Sequence, residues 1–567
     1  MNAATRRPPL APIAPIPEEF ASRYRAQGYY TEQTFPDFIR QVLESYGDRT
    51  AAVGLSTRRT YPTSSTDTVS WTYRELGEQA HLAAHHLRSL GVLPGDRVLL
   101  QLPNTLEYLS YTLGVFLAGA LPIFALPKHR ARDLAHFAGS TDAAAHVFAQ
   151  GAEQTDYRQI YRDYSQQLTD QGKTPPVAVD VTQALPNTLP DSWVYDTPIA
   201  DRSAPVLSEN TALFQLSGGT TGLSKLIPRT HADYLYSVRA SADICEVSGE
   251  TVNLVVLPAA HNFTMSSPGI LGSFYRGATL VFAHDPSPQT SFELIKTHGV
   301  TQVSLVPPLV QSWLTLATRR PLELPSLKVI QVGGAKLAPS VAERIGPVLG
   351  ATLQQVAGMA EGLVNYTRLD DDPATICTTQ GRPISSDDEL LVVDTQGAEV
   401  EAGLAGELLT RGPYTIRAYY GAQTANRTSF TEDGFYRTGD LVIRHPDGNI
   451  EMVGRIKDQI NRAGEKIATD ELEDLALGLE GVQDAIAVGL PDSQLGEKIG
   501  LVLVGQLVPP AGQQALAWVR SELRQRGLSD FKLPDRVFIL EKLPLTTVGK
   551  ISRKDLRAQL AREFSDS

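Results

Sequence analysis

From Asp96 onward, short apolar runs alternate with helix-length patterns along the chain. Val98–Leu102, Leu121–Leu126, Thr279–Phe282, Gln302–Leu305, Lys328–Val332 and Thr352–Val356 read as strands. Thr105–Gly119, Ser291–Thr297, Pro308–Ala317 and Pro339–Leu349 read as helices. This alternation predicts α/β layers with largely parallel sheets, in which ligands bind beyond the carboxyl ends of the strands. Upstream, Leu76, Ala80, Ala83, Leu87 and Leu90 share one face of a helix that opens at Thr72. Glu75, three residues on, completes a capping box there. The Ser- and Thr-rich stretch Ser56–Ser70 reads as an exposed loop, and the first thirty residues as a loose arm with a docking segment.

The pattern changes after about Gly454. Thr469–Leu477 and Gln513–Arg526 read as helices, and Asp484–Leu490, Leu501–Gln506 and Val537–Leu540 as strands, a small α+β unit. The expected organisation is a large N-terminal domain over residues 1–453, a hinge at 454–458 and a C-terminal domain over 459–567.

Composition narrows the function classes. With 567 residues the chain is too long for one core. Lys+Arg 51 against Asp+Glu 63 gives a net charge of −12, which argues against broad nucleic-acid binding but leaves room for a local basic pocket. The two cysteines, Cys245 and Cys377, form no disulfide framework and no zinc spacing, so a reducing cytoplasm is the natural compartment. Prolines 8, 9, 12, 15 and 17 prevent an apolar secretory helix after Arg6-Arg7. Tyr108–Pro127 carries no charge and is about as long as a membrane span, but Gly114, Gly119, Pro122 and Pro127 interrupt it. A buried strand–helix–strand unit is predicted instead of a membrane segment. His81 and His85 stand four apart, a spacing that suits a metal, yet no third ligand follows and a solvated helix face is expected.

The sharpest motif is Leu216-Ser217-Gly218-Gly219-Thr220-Thr221-Gly222-Leu223-Ser224-Lys225. Its glycines leave backbone N–H groups accessible, and its hydroxyls and ammonium add donors, which is what a triphosphate needs. It lacks the Gly-Lys-Ser/Thr order of the P-loop. Taken alone it is an ordinary Gly/Ser turn. It is followed by Gly358-Met359-Ala360-Glu361, Tyr436-Arg437-Thr438-Gly439-Asp440, Gly454-Arg455-Ile456-Lys457-Asp458, Gly464-Glu465-Lys466 and Thr547-Val548-Gly549-Lys550.

This ordered set, spread over nearly the whole chain, resembles the adenylate-forming superfamily of acyl-CoA synthetases, nonribosomal adenylation domains and luciferases. Pro258-Ala259-Ala260-His261-Asn262-Phe263, Ser266-Ser267-Pro268-Gly269 and Gln354-Gln355-Val356 are most similar to stand-alone aryl-acid–AMP ligases. Those enzymes load 2,3-dihydroxybenzoate or salicylate onto aryl carrier proteins in siderophore assembly.

The resemblance implies a large N-terminal domain, a mobile C-terminal domain, ATP and Mg²⁺ as cofactors, and a phosphopantetheinylated aryl carrier protein as partner. It implies no nucleic acid and no membrane. Lys550 would hold the carboxylate and α-phosphate oxygens during adenylation, and Glu361 would bind Mg²⁺. Ser217, Gly218, Gly219, Thr220, Thr221, Gly222 and Lys225 would cradle the phosphates. Gly334, Ala335, Val356, Gly358, Met359 and Ala360 would line the adenine pocket, and Asp440 with Arg455 would hold the ribose. Lys457 would be the hinge, whose rotation withdraws Lys550 and brings Gly464–Lys466 toward a thiol tunnel.

His261 would lie near the substrate carboxylate. Asn262 suits a hydroxyl ortho to it, Ser267 reaches a second ring hydroxyl, and Ala335, Val356 and Val364 leave room for a flat ring beside Phe263. Ser267 and Val364 match the dihydroxybenzoate pattern, where salicylate enzymes tend to carry Cys and Leu. Phe263 departs from the Tyr usual in dihydroxybenzoate members. Ala357 departs from the usual aromatic that stacks on adenine, which implies weaker ATP binding or compensation from elsewhere. Salicylate as the acid and CoA as the acceptor remain alternatives. A non-catalytic nucleotide-binding scaffold conflicts with the presence of both Glu361 and Lys550.

Overall fold

The computed structural model describes residues 7–56, 68–183, 207–217, 223–320, 323–462, 465–467, 469–492, 494–505, 513–544 and 552–565. It has the expected mixed α/β architecture, with a large N-terminal part and a smaller C-terminal one. Across the largest sheet the strands run Arg382–Pro383, Val364–Tyr366, Thr352–Gly358, Val329–Val332, Gln302–Leu305, Val252–Val255, Thr279–Phe282, Thr50–Gly54 and Val69–Thr72. Its centre is parallel and its edges antiparallel. A second sheet runs Val177–Asp180, Ala145–Phe148, Arg97–Gln101, Leu121–Phe124, Thr211–Leu216 and Leu226–Thr230. Among the described residues its one antiparallel pair is the hairpin made by the last two strands.

Register places the site. Val332 lies beside Gln355 in the parallel pair Val329–Val332 and Thr352–Gly358. The loops that follow both strands therefore leave the sheet at one edge, the place where α/β sheets bind ligands. The helix Pro339–Leu349 turns the chain back between them.

The uncharged stretch folds as a strand–helix–strand unit. Every residue of helix Leu106–Leu117 except the last is buried, as a mainly apolar helix inside a large domain should be. Among the described residues no helix is long and apolar enough to cross a membrane. The helix Tyr73–Ser89 starts at an N-cap Thr72 whose hydroxyl accepts from the Glu75 N–H.

Several expectations are corrected. His81 is not on a solvated face; it is buried, and its Nδ1 lies 2.8 Å from the Gly77 carbonyl. Among the described residues no metal-binding cluster forms there or elsewhere. The N-terminal arm is tied down. Arg7 donates to the Thr174 and Pro175 carbonyls, Arg97 donates to Pro8, and a helix forms over Glu18–Ala26. Val69 and Ser70 belong to an edge strand, and residues 57–67 of the expected loop lie outside the described residues. In the C-terminal part the central hairpin is longer than its apolar runs, Val482–Asp492 against Gly496–Gly505, with Arg536–Leu540 parallel beside it.

A four-stranded antiparallel sheet, Glu389–Val393, Ala405–Arg411, Tyr436–Arg444 and Ile450–Arg455, was not legible in the pattern. Its strands are partly exposed and mostly interspersed with charge, and the short apolar run Leu390–Val393 was not read as a strand. Gly381 joins it to the largest sheet: Ile450 N–H donates to the Gly381 carbonyl at 2.9 Å, and Gln380 N–H to the Ile450 carbonyl at 2.8 Å. Gly381 has φ +76°, and a Cβ there would lie 1.9 Å from the Tyr366 carbonyl. Gly381→Ala should therefore destabilise the chain by about 3 kcal/mol. A urea midpoint equal to wild type would show that this junction yields easily.

Candidate active site

The antiparallel pair Thr352–Gly358 and Val364–Tyr366 is joined by a turn that carries Met359, Ala360 and Glu361. The turn is closed by Met359 N–H to the Leu363 carbonyl, 3.0 Å, and Gly362 N–H to the Met359 carbonyl, 3.2 Å. Two other segments clamp it. Arg229 donates to the Ala360 carbonyl at 3.0 Å, and Ile416 N–H donates to the Glu361 carbonyl at 2.8 Å. Arg229 is buried and paired with Asp233 at 2.8 Å, and Asp233 also completes the capping box of helix His231–Ile244.

The Glu361 side chain projects into a nest of phenols. The residue is 8 % exposed, and the Tyr419 hydroxyl donates to its Oε1 at 2.8 Å. The Tyr419 and Tyr436 hydroxyls lie 3.0 Å apart. Burial, reinforced by the Glu361 charge, holds both phenols well above their ordinary range, so both are neutral at pH 7.

A cation faces the same carboxylate. Ser217 N–H donates to the Lys225 carbonyl at 3.0 Å, and Lys225 N–H to Ser217 Oγ at 2.9 Å. These bonds close the base of the glycine-rich loop; Gly218, Gly219, Thr220, Thr221 and Gly222 lie outside the described residues. The Lys225 ammonium stands 4.3 Å from the centre of the Tyr419 ring. Burial lowers its pKa, Glu361 opposes that, and Lys457 lowers it further. Lys457 itself is exposed, in the short helical turn Ile456–Asp458.

Asp440 and Arg455 sit opposite one another in adjacent strands and pair at 2.8 Å. Both act electrostatically on Tyr436. Lys225, Glu361, Asp440 and Arg455 therefore belong to one cluster, threaded by Tyr419 and Tyr436. Gly464, Lys550 and residues 545–551 around it lie outside the described residues.

The other face of the same turn is apolar. Val356, Val364 and Phe263 share one buried cluster. Phe263 approaches Gly333, where a Cβ would meet its ring at 3.1 Å. Gly334 is half-buried and Ala335 exposed on the loop beyond, and Gly358 is exposed at the strand end. Helix Asn262–Ser266 supplies the polar groups. His261 is its N-cap, with Nδ1 accepting from Phe263 N–H at 3.3 Å, so the neutral ring carries its proton on Nε2. The Tyr234 hydroxyl donates to Asn262 Oδ1 at 2.8 Å and accepts from Gln215 Nε2 at 3.1 Å. Burial pushes the Tyr234 phenol up to about 12, so it stays a donor. This fixes the Asn262 amide with its NH₂ turned away from Tyr234. Ser267 is buried at the end of the helix.

Tyr234, Gln215, Tyr419, Tyr436 and Arg229 did not stand out in the sequence as site residues. The one legible signal was Thr230-x-x-Asp233, a capping-box spacing one residue after Arg229.

The donor set suits a divalent cation brought in on a triphosphate. Among the described residues, nothing donates a hydrogen bond to Glu361 Oε2. A hard cation shared with phosphate oxygens needs only one or two protein carboxylates.

Comparison with known proteins gives a family and close relatives. The family model described as AMP-binding enzyme matches residues 39–420, and that of the AMP-binding enzyme C-terminal domain matches residues 471–550. The chain is 44% identical to a 2,3-dihydroxybenzoate-AMP ligase of Bacillus subtilis, covering 98% of this chain and 99% of that protein. It is 41% identical to a salicyl-AMP ligase / salicyl-S-ArCP synthetase of Mycobacterium tuberculosis, over 97% of this chain and 95% of that one. The apo structure of MbtA from Mycobacterium smegmatis matches with a TM-score of 0.70 at 41% identity, covering 96% of this chain and 98% of the other.

The Tyr419–Glu361 bond has a direct test. A hydrogen bond to a charged group contributes about 1.5 kcal/mol, so Tyr419→Phe should raise the KM for MgATP roughly tenfold. An unchanged KM would show that this phenol does not organise the nucleotide end of the cleft.

Proposed function

This chain belongs to the AMP-binding enzyme family, and we propose that it activates an aryl carboxylic acid, with 2,3-dihydroxybenzoate favoured, as its acyl-adenylate. The observation that carries the reading is one hairpin with two faces: Val356 and Val364 lie in a buried apolar cluster, while Glu361 acts on Lys225 and shares Tyr436 with Asp440. An acid seated on one face and a nucleotide on the other meet at the turn.

The aryl carboxylate attacks the α-phosphorus of ATP; a P–O bond forms, the α–β bridge breaks, and pyrophosphate leaves. A thiol then attacks the mixed anhydride and displaces AMP. The first step brings anions together, so the site must supply positive charge and exclude water. Lys225 and Lys457 supply charge beside the phosphates, and Lys550 is assigned to the carboxylate and α-phosphate oxygens. Asp440 accepts from the ribose hydroxyls, steadied by Arg455. Bound at Glu361, Mg²⁺ would neutralise phosphate charge.

Asn262, its amide fixed by Tyr234, donates from Nδ2 to the hydroxyl beside the substrate carboxylate. Ser267 reaches the second ring hydroxyl. His261 Nε2–H points to the acid's carboxylate, and Phe263 covers the ring. A site that hydrogen-bonds a substrate hydroxyl rejects the analogue lacking it far better than an apolar site rejects a missing methylene. That favours the diol over salicylate.

The acceptor proposed is the phosphopantetheine thiol of an aryl carrier protein in siderophore biosynthesis, in keeping with the name of the mycobacterial relative. The hinge is placed at 454–458 around Lys457, between domains spanning 1–453 and 459–567. Gly454, with φ +145°, suits a chain that must swivel there. The compartment proposed is the cytoplasm, consistent with two unpaired cysteines.

ATP–pyrophosphate exchange with 2,3-dihydroxybenzoate, salicylate and 3-hydroxybenzoate tests the reading. The diol should give the highest kcat/KM, and Ser267→Cys should narrow or reverse its lead over salicylate. Salicylate strongly preferred by wild type would overturn the choice of acid; no exchange with any aryl acid would overturn the activity. Thioester formation with free CoA in place of a loaded carrier would point to an aryl-CoA ligase.

A further inference from the structure

We infer that Asp388 is a positioning residue for the aryl-acid pocket, acting through Tyr414 on the strand that carries Val364. The inference rests on the aryl-acid reading above and adds residues outside the pocket lining.

The geometry is a short relay. The Tyr414 hydroxyl donates to Asp388 Oδ2 at 2.6 Å and accepts from Val364 N–H at 3.2 Å. Tyr414 is 1 % exposed and lies in the same apolar cluster as Val356, Phe263 and Val364. Its hydroxyl is thus the polar link between the pocket wall and the layer behind it. Asp388 is held tightly in turn. Ser385 N–H donates to Oδ2 at 3.3 Å, and a Cβ on Gly412 would lie 2.1 Å from Oδ1. Oδ1 is out of contact with solvent and takes no hydrogen bond among the described residues.

The groups packed around Asp388 leave it without a counter-charge. Asp387 pairs with Arg23, Nε–Oδ1 3.3 Å, and Glu389 takes Arg411 at 2.6 Å and Arg23 at 3.5 Å. The phenols of Tyr29 and Tyr236 stack at 4.5 Å on the same side. Both nearby cations are therefore engaged by other carboxylates. Burial pushes the Asp388 carboxyl up to about 8, with the Tyr414 bond opposing and Asp387 adding to the rise.

The sign of the effect follows. Below about pH 8 the folded chain holds the Asp388 proton, whereas an unfolded chain releases it near the ordinary carboxylate range. Stability therefore falls as pH rises from about 4 toward 8. At higher pH a buried anion stands two hydrogen bonds behind Val364, and the slot loosens to hydrate it. The pocket wall loosens with it, and aryl-acid binding weakens while ATP binding does not.

The test is pyrophosphate exchange from pH 6.5 to 9.5 with wild type, Asp388→Asn and Tyr414→Phe, recording kcat and both KM values. A coupling of one pKa unit corresponds to about tenfold, so the wild-type KM for the aryl acid should rise by up to that factor between pH 7 and 9. Asp388→Asn, which keeps the shape but cannot ionise, should flatten that rise. Tyr414→Phe should raise the aryl-acid KM about tenfold at pH 7, lose most of the further rise toward pH 9, and leave the ATP KM unchanged. Identical pH profiles in wild type and Asp388→Asn, or a Tyr414→Phe defect shared equally by the ATP KM or kcat, would overturn the inference. Wild type inactive with every aryl acid would sink the underlying reading instead.

Discussion

The hydrogen bond from the Tyr419 hydroxyl to the Glu361 carboxylate fixes the point on which the cleft turns. A carboxylate this buried needs a donor, and Tyr419 supplies one without adding charge. The same ring carries the Lys225 ammonium on its face, and its hydroxyl meets Tyr436, which leads to Asp440 and Arg455. Groups from the glycine-rich hairpin, the largest sheet and the four-stranded sheet are thus held together by two phenols. The strand Val364–Tyr366 runs back from the same turn into the apolar cluster, so the polar and apolar clusters share one hairpin.

Much of this was legible in the sequence, and the limits have physical causes. Largely buried strands such as Thr279–Phe282 carry a short apolar run, and the bounds read there match the observed ones. The strands that carry Asp440 and Arg455 are half-solvated and charged, so they were found as motifs and not as strands. Lys225 stood out through the polar chemistry of its glycine-rich motif, whereas Glu361, Asp440 and Asn262 were picked out chiefly through the resemblance of their motifs to a known family. Tyr419, Tyr436 and Tyr234 act from the third dimension. Their roles depend on which hydroxyl lands beside which carboxylate or amide, and no linear spacing encodes that. His81 misled for the opposite reason: a polar residue on a helix was read as solvated, yet the face it occupies packs inward and the Gly77 carbonyl satisfies its ring.

The C-terminal unit meets the larger part through Leu477, which packs against its core, and through charge. Lys336, on the loop beyond Val329–Val332, pairs with Asp474 at 3.2 Å and with Glu451 at 3.8 Å. Arg553, three residues beyond Lys550, reaches Asp458 at 3.6 Å, beside the proposed hinge residue. Part-exposed ion pairs contribute about 1 kcal/mol or less, so such contacts can be exchanged for others at little cost. That suits an enzyme whose two half-reactions need different groups at one centre.

The most direct measurement is calorimetric binding of a stable mimic in which the aryl acid is joined to adenosine through a non-hydrolysable sulfamoyl link. If acid and nucleotide meet at the Val356–Val364 turn, the joined molecule should bind far more tightly than either half, because the second contact becomes intramolecular. It should also be displaced competitively by both ATP and the aryl acid. Binding no tighter than AMP, or competition with only one of the two, would contradict a single shared cleft.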